Sequence, residues 1–88
     1  MNLDDDFKSS AERVTKLSRR PPNDIMLQLY ALYKQGNYGD VTGERPGFAD
    51  FEGRVKFDSW KKLHGKSMED AKKEYIALVE QLEKEDTE

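Results

Sequence analysis

The 88-residue sequence contains no cysteine. No disulfide can staple the fold, and no thiolate is available as a nucleophile or metal ligand. Stability has to come from packing, and a reducing interior compartment fits. Histidine occurs once, as His64, in the last turn of a helical pattern, where a cation complements the helix dipole. A metal centre needs several convergent ligands, so His64 does not suggest one. Asp4, Asp5 and Asp6 are consecutive and cannot all face one point on a helix. Long apolar stretches are missing too. The longest uninterrupted run, Leu29 to Tyr33, is far below the roughly 20 residues of a membrane span. The start, Met1-Asn2-Leu3-Asp4-Asp5-Asp6, lacks the basic and apolar regions of a signal peptide. These absences predict a cytoplasmic protein without stable membrane insertion. There is no phosphate-cradling glycine motif and no nucleophile elbow, so the expectation is a non-enzyme with no catalytic residue, no metal and no cofactor.

Charge is plentiful: 38% of residues are charged and 35% hydrophobic. This balance suits a small helical domain in which much of each helix faces water. The formal net charge is −3, which argues against general affinity for nucleic acid. The ends carry that sign. Residues 1–6 contribute −3 through Asp4, Asp5 and Asp6, and residues 83–88 contribute −3 through four acids against Lys84, leaving +3 on the body. A mildly basic body suits a small anion rather than a polyanion.

Four helical patterns and one long loop organise the chain. Phe7, Ala11, Val14 and Leu17 recur at helical spacing, and Pro21-Pro22 ends that segment because proline cannot continue the hydrogen-bond ladder. Pro22 can open the next helix, where its missing amide costs nothing. The second segment carries Ile25, Met26, Leu27, Leu29, Tyr30, Leu32 and Tyr33, an arc too wide for one buried stripe. Such a helix packs on two sides, or packs on one and lines a pocket. Gly36, Gly39, Gly43, Pro46 and Gly47 then mark a loop, long enough to suggest function. Phe51, Val55, Trp60 and Leu63 restore the helical period, with Gly65 as C-terminal cap. Ser67 caps the last helix, with Asp70 in a capping-box-like position. Ala71, Tyr75, Leu78 and Leu82 form its apolar face. The expected helices span 4–18, 22–37, 51–64 and 67–84, with a loop at 38–50 and a frayed tail from Lys84. The fold class is all-α, one antiparallel-type bundle of four helices making a single domain over 1–88.

Three clusters carry the candidate chemistry: Tyr30-Ala31-Leu32-Tyr33-Lys34-Gln35, Glu44-Arg45-Pro46-Gly47 and Lys56-Phe57-Asp58-Ser59-Trp60. Residues four apart on a helix are neighbours, so Tyr30 pairs with Lys34 and Lys56 with Trp60. Each pair joins an aromatic ring to an ammonium, which suits a ligand with a flat base and a phosphate. From the residues alone, Tyr30 and Tyr33 read first as core tyrosines beside a solvated lysine, and Trp60 and Tyr75 read as packing.

With Glu74-Tyr75-Ile76, these clusters make the chain from about Phe7 to Leu82 resemble the acyl-CoA-binding protein family, small cytosolic carriers of fatty acyl-CoA esters. The resemblance implies an up-down-down-up four-helix bundle with a long loop between helices 2 and 3. It further implies that Tyr30, Lys34 and Lys56 hold the adenine nucleotide and its 3′-phosphate, with Tyr33 beside them and Tyr75 at the edge of the site. Phe7, Ala11, Met26 and Leu27 are core on any reading, and by the resemblance some also line the acyl groove. Arg45 is assigned a structural role, anchoring the loop to a carboxylate or to carbonyls. Two departures stand out. Thr15 replaces a lysine that many relatives place near the head group, and Glu52 replaces a basic residue found in some.

The implied function is non-catalytic binding, buffering and transport of long-chain acyl-CoA by a monomer that transiently contacts acyl-CoA-using enzymes. The alternatives are a helical protein-interaction module, with the wide face of helix 2 docking an amphipathic partner, and a small thioester hydrolase. The hydrolase is the weaker, since the chain lacks a cysteine and any triad spacing.

Overall fold

The computed structural model describes residues 2–87. Among them are four α-helices and no strand: α1 (Leu3–Arg13), α2 (Asn23–Tyr38), α3 (Phe51–Lys61) and α4 (Met68–Asp86). A short 3-10 turn, Val14–Lys16, follows α1. Helix α1 starts where the Asn2 side chain accepts from the Asp5 amide at 2.8 Å, with three aspartates in its first turn complementing the dipole. Helix α4 starts the same way, the Ser67 hydroxyl accepting from the Asp70 amide at 3.0 Å.

Pairings along the helices fix their directions. Asp4 meets Lys72 at 2.6 Å and Arg13 meets Glu83 at 3.1 Å, so α1 and α4 run parallel. Gln35, near the end of α2, reaches the Lys66 carbonyl just before α4, so those two run antiparallel. Lys56 lies over Tyr30, and Trp60 reaches Gln35, so α3 runs parallel to α2. The result is the up-down-down-up bundle. Helix α4 packs on both α1 and α2, while α3 packs on α2.

Among the described residues, the α1 and α2 backbones do not pack directly against each other. Side chains bridge them at one end: Phe7 packs on Tyr33 (5.5 Å between centroids) and edge-on to Tyr75 (5.2 Å). Gly36 allows this approach, because a Cβ there would lie 3.1 Å from both Phe7 Cζ and Lys72 Cγ. At the other end the helices diverge and leave a cavity. The core beneath consists of Phe7, Leu29, Leu32, Ala71, Tyr75 and Val79. Burying each large side chain contributes about 1.5–3 kcal/mol.

Three boundaries differ from the sequence-based expectation. The first helix stops at Arg13 rather than 18, and Leu17 is extended (φ −60°, ψ 139°). The Thr15 hydroxyl donates to the Glu12 carbonyl at 2.7 Å, and such local bonding competes with the helical ladder where β-branched Val14 and Thr15 already weaken it. Helix α3 ends at Lys61, followed by a turn to Gly65, whose φ of +90° suits glycine. The tail does not fray from Lys84, because α4 continues to Asp86. The Asp86 carboxylate accepts from the Ser18 hydroxyl at 2.7 Å and the Ser18 amide at 3.1 Å. These bonds pin the linker before α2 to the end of α4 and hold the Asp86 carboxyl below its usual range.

The loop between α2 and α3 is fixed at two points. Arg45 donates from Nε and Nη2 to the two Asp58 oxygens, at 2.9 and 2.7 Å, the bidentate geometry that planar guanidinium favours. Asp40 Oδ1 accepts from the Gly65 amide at 2.8 Å and from Gln35 Nε2 at 2.9 Å. His64 Nδ1 stands 3.5 Å from Asp40 Oδ2.

Candidate functional site

Two recesses flank one ridge of α2. The first is a cavity of about 530 Å³ between the end of α1, the 17–21 linker, α2 and α4. Its wall is mostly apolar: Ala11, Val14, Leu17, Pro21, Met26 and Leu29, closed by Tyr30, Tyr33 and Tyr75. Thr15, Arg19 and Arg20 supply its polar rim. The second is a cleft of about 580 Å³ between α2 and α3, walled by Met26, Leu27, Tyr30, Phe51, Val55 and Lys56. Helical periodicity explains the shared ridge, since Met26 and Tyr30 stand one turn apart and line both recesses.

Two ammonium groups frame the ridge. Lys34 Nζ lies 5.8 Å and Lys56 Nζ 5.5 Å from the Tyr30 ring centroid. Lys34 also lies 5.1 Å from the Tyr38 ring and 5.8 Å from the Trp60 ring. Cations within about 6 Å of aromatic faces are held by the ring quadrupole. The pairing therefore differs from the simple expectation of Lys56 with its own-helix neighbour Trp60: Lys56 crosses to Tyr30 on α2, and Trp60 receives Lys34. The Glu52 carboxylate sits 3.3 Å from Lys56 Nζ and lines the same cleft.

A buried polar hub sets this spacing. Gln35 is fully buried. Its Nε2 donates to Asp40 Oδ1 (2.9 Å) and the Lys66 carbonyl (2.8 Å), and its Oε1 accepts from Trp60 Nε1 at 3.0 Å. Two oxygens on one side and an N–H on the other permit a single amide orientation. Trp60 Nε1 also donates to the Gly39 carbonyl at 2.9 Å. The hub locks α2 to α3 next to Lys34 and one turn beyond Lys56.

Of the residues singled out from the sequence, Ala11, Thr15, Met26, Tyr30, Tyr33 and Tyr75 lie on the cavity. Leu27 and Lys56 lie on the cleft, and Lys34 on the ridge beside it. Phe7 is not brought to either recess. It is buried beneath the cavity floor and touches a smaller hollow with Asp4, Lys8 and Lys72. The Tyr75 phenol is pushed up to about 12, first by burial and then by Tyr33, so it stays protonated as a hydrogen-bond donor. Sequence reasoning misses Arg19, Arg20 and Pro21, because in the sequence the linker signals only the end of a helix. The adjacent arginines were the available signal.

Among the described residues there is no cluster of three or more metal-ligating side chains. Likewise, no described helix is long and apolar enough to cross a membrane. The arrangement is that of a small helical binding domain with an apolar cavity joined to a cationic, aromatic cleft.

Comparison with known proteins gives that class a family. The family described as Acyl CoA binding protein matches residues 4–79. The acyl-CoA-binding protein of Saccharomyces cerevisiae is 50% identical over 76 residues, 86% of this chain and 87% of that protein. The acyl-CoA-binding protein of Brassica napus is 46% identical over 82 residues, 93% of this chain and 89% of that protein. Among solved structures, Oryza sativa Acyl-CoA-Binding Protein 2 superposes with a TM-score of 0.94 at 41% identity, covering 98% of this chain and 96% of that one. The chain belongs to the acyl-CoA-binding protein family.

Proposed function

We propose that the protein binds long-chain fatty acyl-CoA esters without catalysis, buffering and carrying them inside the cell as a monomer. The observation that carries this reading is the continuity of the apolar cavity with the Tyr30 ridge and its two ammonium groups. An acyl chain fits the first environment, and a base bearing a phosphate fits the second. Each methylene transferred from water is worth about 0.8 kcal/mol, so ten offer about 8 kcal/mol before the costs of association. A hydrogen bond to a charged phosphate adds about 1.5–3 kcal/mol. The chain therefore dominates affinity, and the nucleotide sets specificity. Tyr30, Lys34 and Lys56 take the 3′-phosphate and adenine, Tyr33 and Tyr75 border them, and Ala11, Thr15 and Met26 face the remainder of the ligand. Leu27 meets the nucleotide side, and Phe7 supports the floor.

Calorimetric titration with palmitoyl-CoA, free CoA and free palmitate tests the two-part site. Strong one-to-one binding of the ester, with much weaker binding of either half, is expected, and affinity should climb with acyl length until the cavity is full. A flat response to chain length would reject the cavity as the acyl site. Contact with acyl-CoA-using enzymes follows from the carrier role and would be transient.

A further inference from the structure

Three residues line both the cavity and the cleft: Met26, Tyr30 and Arg20. Met26 and Tyr30 form the ridge from α2, whereas Arg20 approaches it from the linker before that helix. Any ligand that occupies both recesses crosses this seam. Resting on the acyl-CoA reading above, we propose that Arg20 is the ligand-positioning residue for the diphosphate that joins pantetheine to the nucleoside.

The side chain is set for that task. Arg20 Nη1 donates to the Asn23 side-chain oxygen at 2.8 Å and to the Pro21 carbonyl at 3.3 Å. Asn23 opens α2, so the rigid helix start orients the guanidinium. Among the described residues, Nε and Nη2 of Arg20 have no protein acceptor, which leaves donors for an anion. Its neighbour Arg19 is engaged differently, donating to the Glu85 carbonyl at 3.3 Å beside Asp86. Among the described residues, Arg20 has no carboxylate within salt-bridge reach, while Lys56 is already paired with Glu52. Thr15, on the same cavity, offers no cation, and its hydroxyl is spent on the Glu12 carbonyl. Arg20 is thus the cation at the seam with donors to spare, and a planar guanidinium matches two phosphate oxygens better than an ammonium does. The chemistry recognised is a bridging diphosphate, separate from the terminal 3′-phosphate at Tyr30.

Three ligands of equal acyl length separate these roles: the acyl-CoA, its 3′-dephospho form, and the S-acylpantetheine, which has no phosphate. Arg20→Ala should weaken the first two by the same factor, about tenfold for a charged hydrogen-bonding group, and leave the third unchanged. Arg20→Lys should recover part of the loss by keeping the charge. Equal weakening of all three ligands would make Arg20 a structural brace through Asn23, and no weakening of any would remove it from the site. Lys34→Ala serves as the independent control. If it fails to narrow the preference for acyl-CoA over the 3′-dephospho form, the phosphate assignment at Tyr30 falls, whatever Arg20 does.

Discussion

Replacing Gln35 by leucine tests whether the buried hub, rather than the apolar core alone, holds the two halves of the site together. The side chain is fully buried and makes three hydrogen bonds, at 2.9, 2.8 and 3.0 Å. At about 0.5–1.5 kcal/mol net for each bond, their loss comes to about 1.5–4.5 kcal/mol. Two of the stranded partners keep a second bond: Trp60 Nε1 to the Gly39 carbonyl at 2.9 Å, and Asp40 to the Gly65 amide at 2.8 Å. The half-buried Lys66 carbonyl alone is orphaned, and the leucine side chain offsets part of the cost. A net loss of about 2 kcal/mol is therefore expected, equivalent to a fall in Tm of about 8–16 °C in a domain of this size. Urea unfolding followed through Trp60, the single tryptophan, measures it directly, and an unchanged m-value shows that only stability moved. Gln35→Glu should be worse at neutral pH, because a carboxylate would then face Asp40 Oδ1 and the Lys66 carbonyl with no proton to donate. A loss of less than about 0.5 kcal/mol in the leucine variant would refute the hub as a determinant of α2–α3 docking. The spacing of Lys34 and Lys56 would then need another explanation.

Lys34→Ala should narrow the preference for acyl-CoA over its 3′-dephospho form by about tenfold, as for one charge-assisted bond; an unchanged ratio in competition titrations would exclude Lys34 as a phosphate ligand. Acid should destabilise the fold in a defined window. Asp40 is held below the ordinary 3.8 by the Gly65 amide and Gln35, Asp58 by Arg45, and Asp86 by Ser18. A depressed folded pKa contributes stability that is complete above the unfolded value and is lost as pH falls through the folded one. The Tm should stay level down to about pH 5 and decline below about pH 4, and a Tm that rises on acidification would contradict the assignment. Gly36→Val should cost about 1–3 kcal/mol, since even a Cβ there lies 3.1 Å from Phe7 Cζ. Retained stability in a thermal melt would mean that α1 can retreat from α2 at no cost.

What the sequence revealed divides by the range of the interactions involved. The course of α2 was legible because its apolar residues recur at helical spacing, and the Ser67 cap because a side chain three residues from its partner amide needs no tertiary information. The end of α1 is not legible in the pattern, although its cause is local: the Thr15 hydroxyl donates to the Glu12 carbonyl one turn back, a competition that apolar periodicity does not register. The order of the tail is hidden for the opposite reason. Asp86 is ordered by Ser18, 68 residues away, a polar partner that apolar patterning does not reveal. Polar partners supplied what hydrophobic contacts did not.

The candidate site obeys the same division. Tyr30 and Lys34 are one helical turn apart, so their meeting follows from α2 alone. The approach of Lys56 to that ring depends on the register between α2 and α3, which no spacing within either helix encodes. Gln35 provides it, taking the indole N–H of Trp60 from α3 on one side and the Lys66 carbonyl and Asp40 on the other. A glutamine between Lys34 and Gly36 looks like a solvated position at the end of the apolar run, yet here its burial positions the cations. Arg20 was hidden for a related reason: a linker residue has no face until the helices on either side are fixed. Its place at the seam depends on Ser18 and Asp86 tying the linker to α4, and on Asn23 receiving it at the start of α2. The candidate site is therefore specified by a few long-range polar bonds laid over a helical pattern that the sequence states openly.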